Sequence, residues 1–295
     1  MQFDVQLLLL ALAPLFLGCI GWELYYWQRQ GRSDIYDWRD SLCNACLALL
    51  HQAADKLAWL LVLPLYGWLY QQHRLFDFPT SWLGFFGLFL AQDFLYYWFH
   101  RASHRIRWLW AAHSVHHSST RMNFSTAFRQ SLMYPLAGMW AFWLPLAWLG
   151  FPPQQVVGVV LLNLAFQFFV HTQAIPKLGW LEYVFNTPSI HRSHHARNPC
   201  YIDRNYAGVL CIWDRLFGSF VAERDDEPCD YGTVKPVNSF NPLWVSLVEW
   251  RDMLREAWQA DSWRARLVLL LGAPEQAEAI SRAQSPSATG RTPQS

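Results

Sequence analysis

Charged residues are scarce in this chain. Asp, Glu, Lys and Arg make up 15% of the 295 residues, whereas 53% are hydrophobic and 17% are aromatic. So few charges and so many rings are unusual in a soluble protein, whereas aromatic rings are common at the headgroup level of a bilayer. The net charge of +1 gives no basic surface for nucleic acid. The composition therefore predicts an integral membrane protein without a nucleic-acid partner.

A basic segment is also missing before the first hydrophobic run. That run, residues 5–27, follows Asp4 directly, whereas a secretory signal peptide begins with a positively charged region. We therefore expect it to remain as a membrane span. The six cysteines show no zinc-ribbon spacing and no disulfide framework, so they indicate neither kind of site.

Five apolar stretches are candidate membrane helices: residues 5–27, 57–70, 81–99, 132–150 and 153–175. About 20 apolar residues cross a hydrocarbon core as helix, and the second stretch is the weakest because His51, Asp55 and Lys56 precede it. Arginine and lysine follow the first, third and fifth stretches, which the positive-inside rule places in the cytoplasm. The sequence predicts an all-α, multi-pass membrane protein with about four to five transmembrane helices and a cytoplasmic helical cap.

Nine of the eleven histidines lie at these basic ends. Three motifs, HRASH (100–104), HSVHH (113–117) and HRSHH (191–195), place histidines at i, i+3 or i+4, on one side of a helix. The nine are His100, His104, His113, His116, His117, His171, His191, His194 and His195. So many converging imidazoles would leave buried lone pairs unsatisfied without a metal.

The histidine set predicts two metal ions, because one zinc site takes only about four ligands. Neutral imidazole suits iron, zinc and copper. Iron is favoured over zinc because zinc cannot change its oxidation state, but the residues leave the metal open.

The three motifs resemble those of the fatty acid hydroxylase and sterol desaturase superfamily of membrane di-iron oxygenases, in order and in spacing. The flanking segments YYWFHRASH, LWAAHSVHHSS, NFSTAFRQS and NTPSIHRSHHARN look most like the alkylglycerol monooxygenase branch. The resemblance implies that the nine histidines bind two Fe ions. It also implies that dioxygen and a reductant hydroxylate or desaturate an alkyl C–H bond of a sterol, fatty acyl or alkylglycerol lipid, with no catalytic side chain apart from the ligands.

The electron donor is left open, as a redox partner protein or a small reductant. Tetrahydrobiopterin is one candidate, but Arg105, Thr120 and Arg121 stand where the alkylglycerol monooxygenase branch carries acidic residues. These differences argue against both tetrahydrobiopterin and an ether-lipid substrate. They do not affect the histidine motifs.

Five other polar residues are candidates for supporting the ligands. Asp93 lies on the histidine face of its helix, where it either orients an imidazole or pairs with a neighbouring span. Asn163 and Gln167 form a polar stripe with His171 that we expect to face the interior. Asp203 and Asn205 follow the last motif, and either support the ligands or form a cap or turn.

We divide the chain into residues 1–80 with the N-terminal membrane helices, 81–250 with the catalytic domain, 251–273 with a helix on the membrane surface, and a disordered tail at 274–295. Two other functions remain open. A zinc-dependent membrane hydrolase would need a carboxylate beside the metals, and the motifs contain none. A non-enzymatic metal-binding membrane protein would place its ligands along a path through the bilayer.

Overall fold

A computed structural model describes residues 5–78 and 81–284 of the chain. All regular elements within these residues are helical, and the β pairing there is limited to three isolated bridges. The α-helices are α1 Val5–Arg29, α2 Trp38–His73, α3 Trp82–Arg105, α4 Arg107–His117, α5 Tyr134–Ala137, α6 Leu144–Leu149, α7 Pro153–Phe168, α8 Pro188–His194, α9 Ile212–Leu216, α10 Pro242–Gln259, α11 Trp263–Leu271 and α12 Pro274–Gln284. The predicted all-helical fold is confirmed for the described residues.

The longest helix, α2, has 36 residues and is capped by the Asp37 side chain, which accepts hydrogen bonds from two backbone amides of its first turn. It carries exposed leucines on one flank, with Leu57, Leu60 and Leu61 at 68%, 71% and 79% exposure. In the described part of the chain, one segment, Ser33–His73, is long and apolar enough to cross a membrane. The larger number of spans stays a prediction.

The fourth apolar stretch does not form the single helix that its composition predicts. Residues 132–150 fold instead as α5, the 3₁₀ helix Met139–Trp143 and α6. Pro135 and Pro145 each stand at the start of a helix, and Gly138 between them has a left-handed φ of 79°. Proline lacks the amide hydrogen that a continuous helix needs, so the stretch is interrupted. The fifth stretch is also shorter than predicted, because α7 ends at Phe168.

One hydrophobic core joins the long helices to α4. It includes Tyr66 of α2, Leu88 and Tyr96 of α3, Val156 of α7 and Ala112 of α4. Helix α4 packs against α3 on one side and α10 on the other. The helix that carries HSVHH is therefore fixed between a long apolar helix and the C-terminal helices.

The C-terminal third differs from the predicted domain limits. Residue 250 lies inside α10, so a boundary there would cut a packed helix. The centroids of the Trp250 ring and the Trp108 ring of α4 are 4.7 Å apart. Residues 251–273 contain the end of α10 and the separate helix α11 rather than one surface helix. Helix α12 occupies 274–284, where disorder was predicted, because Ala277 is buried with Leu269 of α11. Residues 285–295 lie outside the described residues.

Candidate metal centre

The nine motif histidines come from four places in the fold. His100 and His104 lie in the last turns of α3, and the second motif ends α4. The third motif forms the last residues of α8 and its C-cap, His195. His171 follows α7 in a turn. All nine are at most 6% exposed. The structure thus buries every predicted ligand at the ends of packed helices.

The nine histidines divide into two clusters, within each of which one nitrogen per residue lies within 4.8 Å of the others. Site A contains His100, His104, His113, His117 and His194, and site B contains His116, His171, His191 and His195. Each HxxHH helix supplies both clusters. In α4, His113 and His117 belong to site A and His116 to site B. In the third motif, His191 and His195 belong to site B and His194 to site A.

The Nε2 atoms converge in both clusters. In site A, His113 Nε2 is 3.0 Å from His100 Nε2 and 3.2 Å from His117 Nε2. In site B, successive Nε2 pairs among His116, His171, His191 and His195 are 3.0–3.1 Å apart.

These spacings bear on the geometry of a bound ion. Tetrahedral zinc with bonds of about 2.0–2.1 Å would hold its nitrogens about 3.3–3.4 Å apart, and ligands at right angles would be about 2.8–3.0 Å apart. The closest observed pairs, 3.0–3.2 Å apart, are near enough to be ligands of one ion. Five nitrogens in site A also exceed the four of a tetrahedron.

The outer ring nitrogens are held by groups that fix the tautomer. Nδ1 of His100, His116, His171 and His194 faces the backbone carbonyl of Tyr206, Arg129, Gln167 and Arg204, respectively, at 2.6–3.2 Å. A carbonyl only accepts, so each Nδ1 carries the hydrogen and donates it. Each Nε2 is then left with a lone pair directed into its cluster, which is how protein histidines are oriented toward a metal.

Two buried atoms indicate that site A fits a metal ion. Nε2 of His104 and of His194, both in site A, has no hydrogen-bond partner among the described residues. Burial lowers the pKa of His113, His117 and His194, and the neighbouring imidazoles lower it further, so these rings are neutral. Neutral imidazoles with inward lone pairs match the donor set of a transition metal.

Asp203 and Asn205 lie where the sequence placed them, beside the last motif. Asp203 Oδ1 is 3.6 Å from His104 Nδ1, and its other oxygen accepts a hydrogen bond from Arg105 at 2.5 Å. Asn205 donates to Ser193 Oγ of α8 at 2.8 Å. Both residues have a left-handed φ, 58° and 59°, a conformation that asparagine and aspartate tolerate better than most residues. This loop aims the Arg204 carbonyl at His194.

Asp93 supports the site without touching a histidine. Its carboxylate accepts hydrogen bonds from the amides of Val209 and Leu210 at 2.8 and 3.1 Å, from Trp213 Nε1 and from Asn163 Nδ2. Of the two predicted roles, the contacts match pairing with a neighbouring helix. Asp93 fastens the 207–213 segment to α3 and α7.

The predicted polar stripe on α7 faces the interior. Asn163 donates to Asp93 and to Gln92 Oε1 of α3, and Gln167 donates to Asn163 Oδ1 at 2.6 Å. Gly208 packs on this network so closely that an added Cβ would lie 2.7 Å from Asn163 Oδ1. The stripe ends at the Gln167 carbonyl, which accepts from His171.

Arg129 and its partners were not predicted as part of the site. The guanidinium of Arg129, 2% exposed, donates to Asp40 Oδ1 at 3.0 Å and to Asn44 Oδ1 at 2.8 Å, both on α2. It also donates to the Val115 carbonyl of α4. Its own carbonyl accepts from His116, so the ion pair holds a ligand of site B. Arg129 lies within the recognised NFSTAFRQS segment, but the pairing with Asp40 spans 89 residues.

Glu23 of α1 is a second group that was not predicted. It is fully buried and accepts hydrogen bonds from Tyr36 Oη at 2.6 Å, from the Phe124 amide at 2.8 Å and from Thr172 Oγ1. Because Thr172 follows His171 directly, Glu23 links α1 to site B. A single acid in an apolar helix is the signal that would have found it.

Comparison with known proteins gives a coherent set of similarities. A fatty acid hydroxylase family model matches residues 85–219. The chain is 42% identical to an alkylglycerol monooxygenase from Homo sapiens over 208 residues, which are 70% of this chain and 46% of that protein. It is 38% identical to an alkylglycerol monooxygenase from Caenorhabditis elegans over 226 residues, 76% of this chain and 44% of that protein.

A bacterial relative differs in the lipid that its name specifies. An ornithine lipid hydroxylase from Rhizobium tropici is 29% identical over 144 residues, 49% of this chain and 43% of that protein. The chain spans less than half the length of each of these relatives. No solved structure matches it.

Proposed function

Residues 85–219 of this chain form a fatty acid hydroxylase domain, and on that premise we propose that the protein is a membrane-bound di-iron oxygenase. It uses dioxygen and external electrons to hydroxylate or desaturate an alkyl C–H bond of a lipid. The observation that carries the proposal is the division of nine buried histidines into two adjacent clusters. Two clusters with inward lone pairs provide for two ions rather than one.

The two clusters lie side by side, so two ions bound in them would be neighbours. The ring centroids of His117 in site A and His195 in site B are 4.4 Å apart, and those of His194 in site A and His191 in site B are 5.4 Å apart. Helices α4 and α8 each hold ligands of both sites, so their packing fixes the distance between the sites. Redox-active metal ions can activate dioxygen, and no amino-acid side chain has that chemistry.

Iron bound in the two sites would supply the oxidising power and the place where dioxygen is reduced. The chain's own residues orient the histidines and shield the centre from water. The carbonyls of Tyr206, Arg129 and Arg204 keep the proton on Nδ1 of their histidines. The burial of all nine rings excludes water from the centre, which protects a strong oxidant from side reactions.

The membrane arrangement is part of the proposal. Helix α2 extends over about 54 Å, longer than a hydrocarbon core of about 30 Å, so its first turns stand in the cap beside Arg129. We place the ends of α1, α3 and α7, with the histidines, at the cytoplasmic face because Arg29, Arg101, Arg105 and Lys177 lie there. A lipid chain then enters from the bilayer and electrons arrive from the cytoplasm.

The substrate class rests on the named relatives. Alkylglycerol monooxygenases and an ornithine lipid hydroxylase both act, by name, on lipids that carry a polar headgroup. We therefore propose a headgroup-bearing lipid as substrate. Despite the departures at Arg105, Thr120 and Arg121, 1-O-alkylglycerol is the first compound to test because of the 42% identity to an alkylglycerol monooxygenase. The reductant is either tetrahydrobiopterin or a redox protein.

Arg105, which stands where the alkylglycerol monooxygenase branch is expected to carry an acidic residue, is engaged in ion pairs with Asp203 and Glu275. It therefore holds the 203–205 loop to α12, and we assign it no contact with the reductant.

A zinc hydrolase is the weaker alternative. It needs a carboxylate that reaches a metal-bound water, and both metal clusters found in the described residues consist of histidine alone. Asp203 contacts His104 at the outer nitrogen, on the side away from the cluster.

Purified full-length protein tests the proposal. Protein reconstituted with iron should convert 1-O-hexadecylglycerol or an extracted membrane lipid, with uptake of dioxygen and dependence on reductant. Zinc-loaded protein should be inactive. Turnover by the zinc form at the same rate, or product formation without dioxygen, would contradict the oxygenase assignment.

A further inference from the structure

A polar cavity of about 410 Å³ lies on the outer side of site A. Its lining residues are Arg101, Arg105, Ile202, Asp203, Arg204, Tyr206, Gly218 and Ser219. The cavity is separated from the metal centre by one layer of histidines, because the carbonyls of Arg204 and Tyr206 accept from His194 and His100. The proposed reaction assigns this cavity no role.

The cavity has an excess of positive charge. Arg105 is compensated by Asp203 at 2.5 Å and by Glu275 at 2.7 Å. Arg101 donates to Tyr97 Oη at 2.7 Å and Arg204 to the Gly218 carbonyl at 3.2 Å, and neither has a carboxylate partner among the described residues. Two guanidinium groups therefore face one cavity with no carboxylate at ion-pair distance, and the buried Asp214 carboxylate interacts with Arg101 only at longer range.

The position of these arginines indicates the source of the anion. Arg101 lies in the last turns of α3, one turn beyond Trp98, which is 37% exposed. Ile202, which lines the cavity, is 41% exposed, and Leu216, two residues before the lining residue Gly218, is 69% exposed. An arginine just beyond an exposed tryptophan on a membrane helix is at the headgroup level. The apolar side chains beside the cavity match the upper part of a lipid chain.

We propose that this cavity binds the phosphate group of a membrane phospholipid. The fork of donors on each free guanidinium matches phosphate oxygens in two parallel hydrogen bonds, and the exposed leucine and isoleucine contact the glycerol end of the acyl chains. This binding site goes beyond the proposed oxidation and does not depend on it. A soluble phosphate compound has the same chemistry but would gain nothing from the apolar residues.

The experiment uses the full chain in detergent micelles. Binding of fluorescent dioleoyl phosphatidic acid is measured against dioleoylglycerol, which has the same chains and no phosphate. The test variant is Arg101→Gln with Arg204→Gln, which removes both free charges and keeps side-chain size. The control is Arg264→Gln, the same substitution at an exposed arginine of α11 outside the cavity. Thermal unfolding of each variant checks that it is folded.

Phosphatidic acid should bind at least about tenfold more tightly than dioleoylglycerol, and the double variant should lose that preference while the control keeps it. Equal binding of the two lipids by the wild-type chain would overturn the proposal. A folded double variant that still prefers phosphatidic acid would also overturn it. Glycerol 3-phosphate or inorganic phosphate that binds as tightly as phosphatidic acid would show that the source is soluble and not the membrane.

Discussion

The contact of Asp203 with His104 leads to a prediction about the metal affinity of site A. Replacing Asp203 with asparagine keeps the side-chain shape and removes the negative charge that lies 3.6 Å from His104 Nδ1. This distance is too long for a hydrogen bond, so the carboxylate acts on the imidazole through its charge, which orients the ring. Loss of such an outer partner typically lowers metal affinity about 10- to 100-fold. That range corresponds to about 1.4–2.7 kcal/mol.

The structure supplies a matched control. Glu275 also pairs with Arg105, at 2.7 Å, and contacts no histidine among the described residues. Arg105 is 43% exposed, so the loss of either ion pair should change stability by no more than about 1 kcal/mol. Glu275→Gln should therefore leave the metal affinity unchanged, whereas Asp203→Asn weakens one of the two sites.

The assay is a competition titration of each variant with a metal chelator, with the bound metal measured by mass spectrometry. The wild type and Glu275→Gln should release metal together, whereas Asp203→Asn should release about half of its metal at lower chelator concentration. Equal release by all three proteins would refute the role of Asp203. A shift of equal size in Glu275→Gln would assign the effect to Arg105 instead.

Two further predictions concern the support of the site. Gly208→Ala should destabilise the protein by about 1–3 kcal/mol, because the new Cβ would lie 2.7 Å from Asn163 Oδ1. The control Gly87→Ala, on the open face of α3, should not destabilise it. Equal melting temperatures of the two variants in detergent would contradict this prediction. Arg129→Met should cost about 3–5 kcal/mol because it leaves Asp40 buried and unpaired, and adding Asp40→Leu should recover part of that loss. Chemical unfolding measures both variants, and a double variant less stable than the single one would exclude the ion-pair explanation.

The convergence of the nine histidines was predictable because metal chemistry requires a rare residue type at a spacing that a helix imposes. Their division between two clusters was not. Residues at i+3 and i+4 differ by about 100° around a helix, so His116 and His117 point to different clusters although the sequence places them on one face. Only the packing of α4 against α3 and α8 decides which cluster each one joins.

The remaining differences arise from interactions distant in sequence or from local breaks. The pairing of Arg129 with Asp40 joins residues 89 apart, and no local pattern specifies such a partner. Pro135, Gly138 and Pro145 break the fourth apolar stretch, so composition alone overestimated the length of its helix. Asp93 is buried in α3, and most of its partners lie in the 207–213 segment, whose path depends on tertiary packing.

Metal content per chain tests the central claim most directly. Full-length protein purified without oxygen and loaded with iron should contain about two ions per chain, as two clusters of five and four nitrogens provide. His104→Ala, which alters site A, and His171→Ala, which alters site B, should each retain about one. A single ion per chain in the wild type, or loss of all metal in both variants, would contradict two separate sites.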